Sequence, residues 1–189
     1  MPIQTQAATT LSNFTVPGVR KGPARRVIAL LEDRLATLLD LQLTLKHIHW
    51  NVVGPNFISV HEMLDPQVDS VREMTDTIAE RIATLGGVPR GTPAAVSNRS
   101  IRREYPLGRA LAVEHLGALD FVYTEVNEMH RRALEEIAGL DPVSEDMLIG
   151  QLAELEQFQW FVRAHLENAD GVIPTVGEPT ESAAAAACV

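Results

Sequence analysis

Cysteine is all but absent from this chain: Cys188 stands alone in 189 residues. A single thiol forms no intrachain disulfide and builds no Cys-rich zinc site, so the expected setting is a reducing cytoplasm. No run of about 18 consecutive apolar residues occurs, which argues against a transmembrane helix and a membrane partner. The opening residues, MPIQTQAATTLSNF, have neither the basic nor the apolar region of a secretory signal. Strand-like alternation of any length is missing, as is an internal repeat. Basic charge is in short supply too, with 16 Lys plus Arg against 25 Asp plus Glu and a net charge of −9. That balance argues against wholesale nucleic-acid binding by the folded body.

The charge that is present is unevenly spread. Residues 1–26 carry Arg20, Lys21, Arg25 and Arg26 and no acid, so a total of −9 leaves −13 on the remainder. Residues 1–23, broken by Pro17-Gly18 and Gly22-Pro23, read as a flexible basic tail. From about Arg25 to Asn51 apolar residues recur at helical spacing, and Gly54-Pro55 closes the pattern. A second helix is expected from about Val60 to Leu85, with Pro66 inside it as a kink or a true start. Residues 88–106 form a long connection with a short helix near Thr92–Ser97. Two further helices are expected over Leu107–Ile137 and Val143–Ala169, and residues 172–189 read as a low-complexity tail. The expectation is therefore one all-α domain over residues 24–171: a four-helix bundle of the ferritin-like kind, with its long connection between helices two and three.

Bundles of that kind often hold two metals internally through Glu-x-x-His motifs, and this chain has no such motif. The suggestive cluster is instead His49, His61, Asp65, Asp76 and Glu80. His61 and Asp65 share one helix face at i, i+4, and Asp76 and Glu80 repeat that spacing. Imidazole with carboxylate suits Fe(II), and also Zn, Mn or Co. Asp65 and Asp76 lie about 16 Å apart along a continuous helix, whereas ligands sit about 2–2.5 Å from a metal. Either the two pairs bind separately, or two chains meet antiparallel and each completes the other's site across a two-fold axis. Taken singly these residues are ordinary: acids at i, i+4 line solvated faces, and His49 on an apolar helix fits a core histidine. His47 points to another face, and His115, His130 and His165 read as surface or packing residues.

The stretch TLKHIHWNVVGPNFISVHEMLDPQVDSVREMTDTIAERIATLGG closely resembles the Dps family, the mini-ferritins. The family pattern is H-W-N, then F-x-x-x-H-x-x-x-D, then D-x-x-x-E eleven residues after the first Asp. His49-Trp50-Asn51, Phe57, His61, Asp65, Asp76 and Glu80 fit it without a gap, and the resemblance runs from about Leu30 to Asn168.

The resemblance implies a hollow homo-dodecamer and a ferroxidase that oxidises Fe(II), preferably with hydrogen peroxide, and stores ferric iron. It implies ligands His49, His61 and Asp65 from one subunit, with Asp76 and Glu80 from its neighbour; zinc or another divalent ion can substitute. Trp50, which packing alone would explain, matches a residue beside the centre that can be oxidised in place of nucleic acid. Asp146 best matches an acidic iron-uptake pore, with Asp141 and Glu145 beside it, although acids there also suit a helix N-terminus. DNA contact through Arg20, Lys21, Arg25 and Arg26 is expected to be weak and salt-sensitive, because few phosphates can be neutralised. The alternative function is a nucleoid-associated protein that condenses DNA through its N-terminal tails. A zinc hydrolase is a third reading, with no substrate-pocket signature to support it.

Overall fold

The computed structural model describes residues 15–99 and 104–189, so the expectations for residues 1–14 and for Arg102 and Arg103 lie outside the described residues. Four long helices dominate: α1 (Lys21–Asn51), α2 (Phe57–Thr84), α4 (Ala112–Ile137) and α5 (Pro142–Leu166). A short α3 (Pro93–Arg99) lies in the connection between α2 and α4, and α6 (Glu181–Ala186) near the C-terminus. The apolar stripes close on one core that includes Leu31, Leu38 and Leu45 of α1, Leu64 and Ile78 of α2, and Leu119 of α4. A four-helix bundle is the outcome that the periodicity predicts.

Each boundary has a local cause. α1 begins at Lys21, ahead of Gly22-Pro23, because proline in a first turn forfeits only an amide that lacks a helical partner anyway. Its N-terminal arm is therefore shorter than the tail expected over residues 1–23. Gly54 at φ +83° and Asn56 at φ +64° reverse the chain after α1. A Cβ on Gly54 would come within 2.7 Å of Leu111 Cδ2. α2 is continuous through Pro66, so the proline neither ends nor starts it. The fourth-helix stop comes at Leu166, before Ala169, where the Asn168 side chain accepts N–H bonds from Asp170 and Val172.

Three features depart from expectation. Residues 107–111 are not helical: β1 (Val52–Val53) and β2 (Ala110–Leu111) pair in parallel, Val52 opposite Ala110. Two residues are too few to give an alternation in sequence. The C-terminal segment is not a loose tail. Thr175 Oγ1 donates to buried Asp120 Oδ2 at 2.5 Å, and the same carboxylate group takes Gln159 Nε2 at 2.8 Å and Arg163 Nε at 2.7 Å. α6 then lies directly on Gly117 of α4, where any Cβ would meet Ala184 O at 2.5 Å and Cys188 Sγ at 2.7 Å.

Candidate metal centre

α1 delivers His49 in its last turn and α2 delivers His61 in its second, and the two rings stack with centroids 3.7 Å apart. Their backbone contacts are reciprocal. His49 Nδ1 lies 3.0 Å from the His61 carbonyl oxygen, and His61 Nδ1 lies 2.9 Å from that of His49. A carbonyl only accepts, so each Nδ1 carries the proton and donates, which leaves each Nε2 lone pair to a metal. Asp65, one turn beyond His61, places Oδ1 3.3 Å from His49 Nδ1. Lys46 Nζ holds that same oxygen at 2.8 Å, and this bond keeps the Asp65 carboxyl below the usual carboxylate range. Lys46 was missed in the sequence, although it lies three residues before His49 and so on the same face.

Asp76 and Glu80 stand exposed further along the unbroken α2, about 16 Å from Asp65 by helical rise. Asp76 borders an open groove of about 1050 Å³ between α1 and α2, with Leu35, Leu39, Gln42 and Asp69 on its walls. Among the described residues, no three His, Cys, Asp or Glu side chains of one chain form a complete cation site. Trp50, next to His49, is 71% exposed, and Ile58 and Leu43 are exposed apolar neighbours in sequence.

The pore candidates separate. Asp146 is exposed, whereas Glu145 is half-buried with its carboxylate 3.4 Å from the Gly139 N–H. Asp141 is buried: its Oδ2 caps α5 through the Ser144 N–H and hydroxyl, and accepts from Arg81 Nη2 at 2.6 Å. Burial pushes its carboxyl up, but the Arg81 and Ser144 bonds outweigh that and hold it below its ordinary range. Asp141 thus serves as a structural cap on α5, and its burial sets it apart from exposed Asp146 among the pore candidates. Of the four tail cations, Arg20, Lys21 and Arg25 are exposed, while Arg26 is paired with Glu136. His115 and His130 are wholly buried and His165 is exposed.

Among the described residues no helix is long and apolar enough to cross a membrane. A ferritin-like domain profile matches residues 28–172. The chain is 52% identical over 175 residues to the "DNA protection during starvation protein" of Mycolicibacterium smegmatis, covering 93% of this chain and 96% of that one. It is 50% identical over 162 residues to the "fine tangled pili major subunit" of Haemophilus ducreyi, with 86% of each covered. Among solved structures, DpsA14 from Streptomyces coelicolor superposes with a TM-score of 0.85 at 59% identity, covering 88% of this chain and 99% of that one. Bundle, motif register and kinship agree: the chain belongs to the Dps family of ferritin-like proteins.

Proposed function

We propose that this protein is an iron-storing ferroxidase whose centre forms between two copies of the chain. His49, His61 and Asp65 of one copy face Asp76 and Glu80 of another, across a two-fold axis within a closed dodecamer. The observation that carries this reading is the pair of reciprocal carbonyl bonds at His49 and His61, which fix both tautomers with Nε2 free for a metal. Iron is the substrate. Two Fe(II) ions each give up one electron, and one hydrogen peroxide takes both electrons and two protons to become two waters. Carboxylate oxygens favour the harder ferric ion, so Asp65, Asp76 and Glu80 assist electron loss. Asp65 leaves Lys46 to bind the metal, and the Nζ released there keeps a cation beside the site. Exposed Asp146 draws Fe(II) toward the interior when repeated around a three-fold axis. Trp50 stands beside the centre as the residue that a stray oxidant meets first.

Anaerobic Fe(II) loading followed by hydrogen peroxide tests the proposal, with His61→Ala/Asp65→Ala as the comparison. Fast oxidation at about two Fe(II) per peroxide without hydroxyl radical, lost in the double variant, supports it; slow oxidation indifferent to the substitutions sinks it. A second reading rests on the exposed Arg20, Lys21 and Arg25 at the mouth of α1. These cations offer a weak, salt-sensitive DNA contact in a bacterial cytoplasm, independent of the iron chemistry. Removing residues 1–22, which takes away Arg20 and Lys21, should weaken it and leave oxidation intact.

A further inference from the structure

The chain has two tyrosines, and they differ in what receives the hydroxyl proton. Tyr123 is wholly buried in α4 and donates to Gln67 Oε1 of α2 at 2.6 Å. An amide oxygen accepts a hydrogen bond but takes up no proton near neutral pH, and burial pushes this phenol well above its ordinary range. Tyr105 is half-buried in the connection before β2. Its hydroxyl lies 3.1 Å from Nδ1 of His115, a wholly buried residue in the first turn of α4. Burial pushes the His115 pKa down and keeps the ring neutral, with one N–H and one lone pair. The phenol hydroxyl takes the lone pair at Nδ1, so the N–H falls on Nε2; the backbone carbonyls of Asn51 and Gly108 interact with the same ring.

A phenol gives up an electron near neutral pH when its proton leaves at the same time, because the phenol radical cation is a very strong acid. Imidazole is a base within hydrogen-bond reach, so Tyr105 meets that condition and Tyr123 does not. Tyr105 also stands near the iron ligands. Its ring meets that of His47 edge-on with centroids 5.7 Å apart, and His47 lies two residues before His49 on α1. His47 is itself fixed, with Nε2 donating to the Leu107 carbonyl at 2.7 Å. We propose that Tyr105 is a reversible redox relay that yields one electron to a hydroxyl-radical-class oxidant, formed where Fe(II) meets peroxide, and its proton to His115 Nδ1. The phenol O–H bond breaks, an N–H bond forms on His115, and the hydroxyl radical becomes hydroxide. A later electron from Fe(II), with the proton handed back by His115, restores the phenol. The source of the oxidant rests on the ferroxidase reading; the pairing of phenol and base does not.

Two oxidants applied to the full-length protein test the proposal. Azide radicals from pulse radiolysis oxidise the metal-free protein, with the phenoxyl radical read by its absorbance. Fe(II) with hydrogen peroxide, freeze-quenched, oxidises it through iron, with the radical read by electron paramagnetic resonance. Under both, the wild type should form a phenoxyl radical that Tyr105→Phe lacks and Tyr123→Phe retains. His115→Gln, whose amide takes up no proton, should slow its formation under azide at least about tenfold. Heavy water should slow it in the wild type, an effect that a merely packed His115 would not produce, and this arm stands if His115→Gln does not fold. A phenoxyl radical that survives Tyr105→Phe, or forms at the same rate in heavy water, overturns the proposal. A radical under azide but none under Fe(II) and peroxide also overturns the relay if iron oxidation remains fast and is lost in His61→Ala/Asp65→Ala. If that double variant oxidises iron as fast as the wild type, it is the ferroxidase reading that falls.

Discussion

Burial keeps His130 neutral. Its pKa falls to about 4, first by desolvation and then by the nearby Arg34 cation, against a weak bond to Gln151 at 3.3 Å. A folded-state pKa below the unfolded value of about 6.5 means that the contribution to stability is complete above pH 6.5 and is lost as pH falls toward 4. Between pH 7 and pH 5 this single group should remove about 2 kcal/mol. Asp141 acts in the same direction: its depressed carboxyl contributes at neutral pH, and that share disappears below the ordinary carboxylate range. Urea unfolding at the two pH values checks this, because His130→Gln should flatten the difference by most of that amount while leaving the midpoint at pH 7 little changed. An unaltered slope in His130→Gln would show that another group governs acid stability. This pH dependence was not legible in the sequence, where His130 looks like any other polar residue on a helix and Asp141 like an ordinary helix cap. Only the packing of α4 against α1 and α5 dries the first, and only Arg81, far away in sequence, claims the second.

At the scale of elements, periodicity and Gly-Pro punctuation placed the four long helices to within a few residues, because their apolar stripes repeat over seven turns. The misses are where a few residues depend on a distant partner. β2 exists because Val52 and Val53 stand beside Ala110 and Leu111. α6 is held on α4 because Gly117 lacks a side chain and Asp120 offers an acceptor to Thr175. An alanine run gives no hint of either. Gly117→Ala should therefore push α6 off its seat at a cost of about 1–3 kcal/mol. Hydrogen exchange reads it directly: protection over residues 175–189 should fall in Gly117→Ala, while α1 and α2 stay protected. Uniform exchange across both proteins would mean that α6 accommodates the methyl.

For the whole molecule, the decisive number is the length of helix between Asp65 and Asp76. Five candidate ligands could be picked out from spacing and family resemblance, but not the carbonyl bonds that orient the imidazoles, nor the lysine on Asp65. Pro66 left α2 open to a break, and its continuity is what keeps Asp65 and Asp76 about 16 Å apart in one chain. In the proposed assembly, a second copy would complete the centre over the groove along α1 and α2 that Asp76 borders. Zinc prefers the same nitrogen and oxygen donors but has no redox chemistry. Preloading with Zn(II) should therefore suppress peroxide-driven oxidation in proportion to occupied centres, read by stopped-flow absorbance; oxidation indifferent to zinc would place the chemistry elsewhere.

Sharing of the centre between copies is tested most directly by mixing two inactive proteins. His61→Ala/Asp65→Ala lacks one half-site and Asp76→Ala/Glu80→Ala lacks the other, so each alone should oxidise Fe(II) no faster than buffer. Co-expressed at equal levels, half of the two-fold interfaces are mixed and each mixed interface restores one of its two centres. Activity should therefore return to about a quarter of wild type. A mixture as inactive as its parents, although co-assembled by mass, would contradict a centre shared between chains.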